Sequence, residues 1–286
     1  MAHPYHRWVR NLLKAQARGA ALPLGGLKPL RRPKLKKRAP KVFIFSPHPD
    51  DECIIGGLAL RLLREKKMEV LNIAVTQGSR KDRQAGRWDE LSQACAFLGF
   101  GLLATGPCGL EGINLKTRDG QPEAWAASVQ VIADLLREHR PAILLSPHAT
   151  DWNSSHIGTH HLVLDALRTL PGYTPLVVET EFWGAMPSPN LMVEVSPRDL
   201  ADLIGALSFH VGEVQRNPYH LRLPAWMQDN VRRGGEVVGG QGGTPPSFNF
   251  ATLYRVCRWD GQALQPAYVG GRVIGATDDL ETLGGV

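Results

Sequence analysis

No apolar run in this chain approaches the ~20 residues that a helix needs to cross a bilayer. The N-terminal stretch MAHPYHRWVRNLLKAQ also lacks a signal-peptide core, because charge interrupts it throughout. The expectation is a cytoplasmic protein, with peripheral contact to a membrane left open. Cysteine is sparse: Cys53, Cys95, Cys108 and Cys257 are scattered with no CxxC pair, so neither a disulfide framework nor a cysteine zinc knuckle is indicated. Acid is missing from the first 41 residues, which hold 12 Lys or Arg. The other 245 residues carry 21 basic and 27 acidic side chains, a net of −6, although the whole chain is +6. The basic character therefore belongs to the N-terminal arm, the rest is not a basic nucleic-acid surface, and no specific nucleic-acid binding is expected. No domain-scale internal repeat is present.

What is there divides into an arm, 1–40, and a single domain, 41–286. At 43% apolar the composition is ordinary for a globular protein, and the length supports a sizeable core. Within the arm, His6 to Gln16 has the spacing of a short helix with Trp8, Leu12 and Leu13 on one side. GGLKPLRRPKLKKRAPK follows, rich in Pro, Gly and Lys. It reads as a flexible basic tether, either an anchor to anionic lipid, nucleic acid or an acidic glycan or, more plainly, a solvated tail or a strap packed on the domain. From residue 41, strand-like runs (KVFIFSPH, EVLNIAVTQ, GLLATG, PAILLSPH, PLVVETEFW, NLMVEVSP) alternate with helical spacing, which argues for a parallel α/β sheet. Residues 211–247, with RRGGEVVGGQGGTPP, show no periodicity and read as a loop-rich rim; FNFATLYRV suggests a last strand.

One stretch stands out. SPHPDDECIIGG, residues 46–57, places a histidine and three consecutive acids directly after a strand. Adjacent carboxylates repel, and a metal ion among them removes that repulsion. In an open α/β sheet, ligands bind beyond the carboxyl ends of strands, which is where His48 falls. His48 and Asp51 are three apart across a tight turn and can reach one point, while Asp50 projects differently, beside a metal instead of on it. A histidine and a carboxylate suit zinc, and a catalytic zinc takes three protein ligands plus water. TDWNSSHIGTHH, after the strand AILLSPH, offers the third ligand from among Asp151, His156, His160 and His161, with His148 just before. The plainer readings are a structural histidine, a charged first turn of a helix, and a helix whose histidines are part core and part surface.

The run Pro47-His48-Pro49-Asp50-Asp51-Glu52 resembles the signature of the PIG-L/LmbE-like family of metal-dependent N-deacetylases. Further likenesses are Thr76-Gln77-Gly78, Arg87 with Glu90, Leu98-Gly99, and the loop Gly109-Leu110-Glu111-Gly112, where an aspartate is usual. The resemblance implies a Rossmann-like three-layer sandwich with a mostly parallel sheet and a metal site at the C-terminal ends of its strands. It implies His48 and Asp51 as ligands, Asp50 as general base, and His156 as third ligand, since Asn153-Ser154-Ser155-His156 matches the family's His-Pro-Asp-His. It also implies Zn²⁺, with Fe²⁺ suiting the same set, and an N-acetylated amino sugar as substrate. Asn153 and Ser155 depart from the pattern. Asn153 can hydrogen-bond a developing oxyanion but cannot donate a proton as an acid; His148 or His160 stands in for that role. Arg87 and Glu111 are the candidates for substrate contact, the plainer role of Arg87 being a salt bridge with Glu90. Glu52 is expected to buttress the loop. Rival readings are a hydrolase of another bond, such as a phosphoester, and a catalytically weakened glycan-binding protein. A homo-oligomer is compatible with all of these.

Overall fold

The structure, a computed structural model, describes residues 3–283. Strands β1 (Lys41–Ser46), β2 (Glu69–Ala74), β3 (Gly101–Ala104), β4 (Ile143–Pro147) and β5 (Leu176–Thr180) run parallel in the spatial order β3-β2-β1-β4-β5. Strands β6 (Leu191–Glu194), β7 (Ala251–Trp259), β8 (Leu264–Pro266) and β9 (Arg272–Ile274) extend it: β7 is antiparallel to β5, β6 and β8, and β9 is parallel to β6. The helices are α1 (Tyr5–Ala20), α2 (Asp51–Ile54), α3 (Gly57–Arg64), α4 (Gln84–Leu98), α5 (Leu115–Gly120), α6 (Pro122–His139), α7 (Ser154–Arg168), α8 (Pro197–Leu207), α9 (Val211–Arg216) and α10 (Leu223–Val237). This is the mostly parallel, helix-flanked α/β sheet that the β-α alternation predicts. No helix among the described residues is long and apolar enough to cross a membrane.

The apolar run VFIF makes sense in the middle of such a sheet. Successive side chains point to opposite faces, so both must be apolar when helices cover both. Val42 and Ile44 pack with Leu58, Leu91 and Leu203 of α3, α4 and α8, whereas Phe43 and Phe45 pack with Ile132, Leu136 and Val163 of α6 and α7. The strand order reverses between β1 and β4. That reversal opens a crevice at their carboxyl ends, and it is there that the loops after β1 and β4 meet.

The acidic stretch itself enters the first of two short helices, α2 starting at Asp51 and α3 at Gly57. Gly56 separates them at φ 87°, and a Cβ there would lie 2.1 Å from Thr252 Cγ2, so this position admits only glycine. Gly99, at φ 82°, closes α4 as the sequence suggested.

Three expectations need correction. The region 211–247 is largely helical, with α9, a short turn at Tyr219–Leu221 and α10, not a loop-rich rim. Among the glycines that looked like loop signals, Gly234 serves packing: a Cβ there would meet Met192 Sδ at 2.6 Å and Leu253 Cδ2 at 2.9 Å, so α10 sits tight on β6 and β7 because it lacks one. The basic stretch is not a free tether but a strap. Leu24, Leu30 and Leu35 pack on the core, the Leu30 N–H donates to Phe97 O at 2.9 Å, and the Gly25 N–H donates to Ser208 Oγ at 3.2 Å. The arm helix runs Tyr5–Ala20, longer than the stretch expected.

Candidate metal centre

The loop after β1 carries His48, Asp50, Asp51 and Glu52, and the loop and helix after β4 carry Asp151, Asn153 and His156. The structure brings His48, Asp51 and His156 together. His48 Nδ1 lies 3.4 Å from Asp51 Oδ2, His156 Nε2 lies 3.4 Å from the same oxygen, and the two ring nitrogens are 3.2 Å apart. Donor atoms bound at about 2.0–2.1 Å around a tetrahedral ion lie about 3.3 Å from one another. The three atoms thus form a triangle of the size that one ion requires.

The surroundings orient these donors. His156 Nδ1 faces Asp151 Oδ2 at 3.2 Å, which fixes the tautomer and leaves Nε2 free to ligate. The His48 backbone N–H donates to Asp51 Oδ2 at 2.8 Å. Burial alone would push the Asp51 carboxyl up, yet His156 and His48 hold it well below the usual range. Burial would also lower His156, but Asp51 and Asp151 raise it to about 10. The pocket therefore demands positive charge between two carboxylates, as a divalent ion supplies.

Asp50 stands outside the triangle. It adopts φ 115°, a left-handed conformation that costs a non-glycine residue about 1–3 kcal/mol and persists only where neighbours impose it. Those neighbours are visible: its N–H donates to Glu52 Oε2 at 3.0 Å, its carboxylate accepts from Tyr219 Oη at 2.5 Å, and Arg87 donates to the adjacent Pro49 carbonyl at 3.0 Å. Burial and the neighbouring Asp51 charge push Asp50 up to about 6, against His210, Arg87 and Tyr219.

Glu52 has the basic partner expected of it. Its Oε1 accepts from His210 Nε2 at 2.7 Å and from Cys53 Sγ at 3.0 Å. These separations are shorter than the roughly 3.3 Å edge of a metal's ligand set, so Glu52, Cys53 and His210 read as a hydrogen-bonded group and not a second centre. Glu52 and His210 are wholly buried. Glu52→Ala leaves a buried imidazole and the Asp50 N–H without a partner, and is expected to lower stability by about 3–5 kcal/mol in urea unfolding. A loss under about 1 kcal/mol would mean that the pair does not hold the loop.

The other sequence candidates fall around this core. Asn153 caps α7, its Oδ1 accepting from the Ser155 N–H at 2.9 Å. His148 is buried with both nitrogens engaged, Nδ1 with Thr150 Oγ1 and Nε2 with Gly184 O, each at 2.9 Å. His160 Nδ1 donates to Pro147 O at 3.0 Å, and burial holds this imidazole down at about 4, neutral at pH 7. Neither histidine joins the ligand triangle. Arg87 does not pair with Glu90: it reaches Pro49 O, Asp50 at 3.9 Å and Glu213 at 3.9 Å, while Glu90 accepts from the Gly212 N–H at 2.9 Å. Glu111 is exposed and pairs with Lys81 at 3.2 Å. Sequence reasoning missed Tyr219 altogether, and with it Trp183, whose ring lies 5.7 Å from that of Tyr219 and whose neighbour Phe182 packs on His156 at 4.9 Å.

The PIG-L family model, described as GlcNAc-PI de-N-acetylase, matches residues 43–167. No curated protein matches the chain by sequence. Among solved structures, N,N'-diacetylchitobiose deacetylase from Pyrococcus horikoshii is 14% identical over 91% of this chain and 94% of its own, with a TM-score of 0.54. GalB, the 4-carboxy-2-hydroxymuconate hydratase from Pseudomonas putida, is 17% identical over 76% and 95%, with a TM-score of 0.57. A zinc-inhibited form of teicoplanin deacetylase is 16% identical over 77% and 99%, with a TM-score of 0.50. At these identities the likeness is one of fold, and that fold serves both deacetylases and a hydratase. The segment 43–167 that matches the PIG-L family model contains all three atoms of the ligand triangle.

Proposed function

We propose that the protein is a metal-dependent N-deacetylase that hydrolyses the acetyl group of an N-acetylated amino sugar or its conjugate, releasing acetate and a free amine. The observation that carries this reading is the pairing of a ligand triangle with a buried carboxylate just outside it, raised to about 6. The PIG-L match and the likeness to deacetylases support the substrate class.

His48, Asp51 and His156 would hold the ion, zinc or ferrous iron, whose charge would activate a water and polarise an amide carbonyl. Asp50 accepts the proton of that water as the oxygen attacks the amide carbon. A carboxyl near 6 is ionised at neutral pH yet basic enough to take a proton, and acidic enough to return it. The Tyr219 hydroxyl and the strained backbone aim the Asp50 carboxylate. Asn153 has committed Oδ1 to its own helix, which leaves Nδ2 to donate to the developing oxyanion. The C–N bond then breaks and Asp50 passes its proton to the departing amine. The bonds that engage His148 and His160 leave that step to Asp50.

Incubating the protein with N-acetylated amino sugars and assaying acetate tests the reading. Release from at least one of free, nucleotide-linked or lipid-linked acceptors is expected; none from metal-replete protein would contradict it. The profile of kcat/KM against pH should carry an acid limb at or below about pH 6, because the base must be ionised and a bound ion that offsets the Asp51 charge lowers it further: activity is present above the limb and lost as the pH falls through it. Tyr219→Phe removes a hydrogen bond that favours the ionised form, so the limb should move to higher pH. A limb that stays in place would remove Tyr219 from the account.

A further inference from the structure

Helix α1 is 16 residues long, about 24 Å, and buries none of them. At 100° per residue its side chains separate cleanly. Tyr5, Trp8, Val9, Leu12 and Leu13 share one arc, while His6, Arg7, Arg10, Lys14 and Arg18 occupy the other. A globular protein turns such an apolar stripe toward its core. Here the domain leaves it uncovered: Tyr5 is 72% exposed, Trp8 61%, Leu13 61%, and Val9 and Leu12 47% each. Leu22 and Leu27, just beyond the helix, are exposed as well.

The charge on this surface is of one sign. The first carboxylate in the sequence is Asp50. The strap fixes Leu24, Leu30 and Leu35 inward on the core and leaves Lys28, Arg31, Arg32, Lys34, Lys36, Lys37 and Arg38 exposed. None of these seven takes part in an ion pair among the described residues. We infer that α1 and the strap form a docking surface for an anionic lipid bilayer, with the stripe of Trp8, Leu12 and Leu13 immersed at the level of the headgroups and the basic residues on the lipid phosphates and carboxylates.

The bilayer is the occupant that satisfies both halves of the surface. A helix with aromatic and leucine residues on one arc and Lys or Arg on the other is built to lie in the interface plane. Nucleic acid offers phosphates but no apolar depth for Trp8 and Leu13. A second copy would oppose two acid-free helices. The inference is independent of the hydrolase reading, but it has a consequence for the site. The end of α1 rests on Leu221, whose side chain would be 2.9 Å from a Cβ at Gly19. Leu221 shares its turn with Tyr219, the partner of Asp50. Docking therefore holds that edge of the candidate site beside the bilayer.

The experiment is co-sedimentation of the full chain with vesicles of phosphatidylcholine alone or mixed with phosphatidylserine. Binding to the mixed vesicles should exceed binding to neutral ones by at least about tenfold, and should collapse in about 1 M salt, where the Debye length is about 3 Å. The double variant L12E/L13E should lose at least about tenfold of that binding with an unchanged thermal midpoint, because the helix buries no residue. Replacing Arg7, Arg10 and Lys14 together by Gln should lower binding to the phosphatidylserine vesicles at least about tenfold, with the strap residues keeping part of the preference. Equal sedimentation with both vesicle types would overturn the inference. So would L12E/L13E binding like the parent, which would reduce the surface to a generic polycation equally served by duplex DNA. A concentration-dependent dimer that L12E/L13E dissolves, with no vesicle binding by the parent, would assign the stripe to self-association instead.

Discussion

Asp50→Asn is expected to lower kcat by about a thousandfold, within the range of about 10² to 10⁴ that a positioned general base supplies. Asparagine has nearly the size and shape of aspartate but cannot accept the proton of an attacking water. It also tolerates a left-handed backbone better than most residues, so the φ of 115° at this position is preserved and the loss is chemical, not structural. Because Asp50 lies outside the ligand triangle, metal content and thermal midpoint should stay at the parent values, and KM should change little. Deacetylation retained above about a tenth of the parent rate would remove Asp50 as the base. The same variant separates the enzyme from a weakened glycan-binding protein: a binder loses nothing when its unused carboxylate becomes an amide.

His156→Ala should abolish both metal retention and hydrolysis. The substitution takes away one of three donor atoms and leaves Asp51 and Asp151 facing one another across the gap. Changes one layer out typically cost about 10–100-fold in metal affinity, and Asp151→Asn, which releases the His156 ring from its hydrogen bond, belongs in that range. Loss of the donor itself should exceed it. Dialysis against buffered metal followed by elemental analysis reads both variants on one scale. If His156→Ala kept a full complement of metal, the triangle would not be the site; if Asp151→Asn lost as much as His156→Ala, Asp151 would itself be a ligand.

Much of this centre is legible in the sequence because its parts are local. A continuous apolar strand ending in His48 and three acids states where the loop lies and what charge it carries, and the echo of Ser-Pro-His after β4 points to the segment that completes it. The choice of His156 among its neighbours is a matter of register that only the family likeness decides on paper. In space the reason is plain: His148 spends both nitrogens on Gly184 O and Thr150, His160 turns Nδ1 to Pro147 O outside the triangle, and His156 has Asp151 behind it. What could not be read comes from far along the chain. Tyr219 reaches Asp50 across 169 residues, and His210 reaches Glu52 across 158. No local pattern encodes such a contact. Tyr219 lies within the segment read as a loop and His210 just before it; that reading arose because Gly and Pro mark turns in sequence, while Gly234 is used here for close packing of α10. The sequence leaves the basic stretch open between tether and packed strap for a related reason: its lysines suggest solvent, and three leucines among them decide where it lies.

The most direct test is acetate release from an N-acetylated amino sugar by protein carrying a measured metal content, before chelation, after it, and after the metal is restored. The account predicts about one zinc or iron per chain, consistent with a single three-donor site, with hydrolysis that disappears on chelation and returns with the metal. Hydrolysis that survives removal of the metal, or a chain that takes up no metal at all, would contradict it.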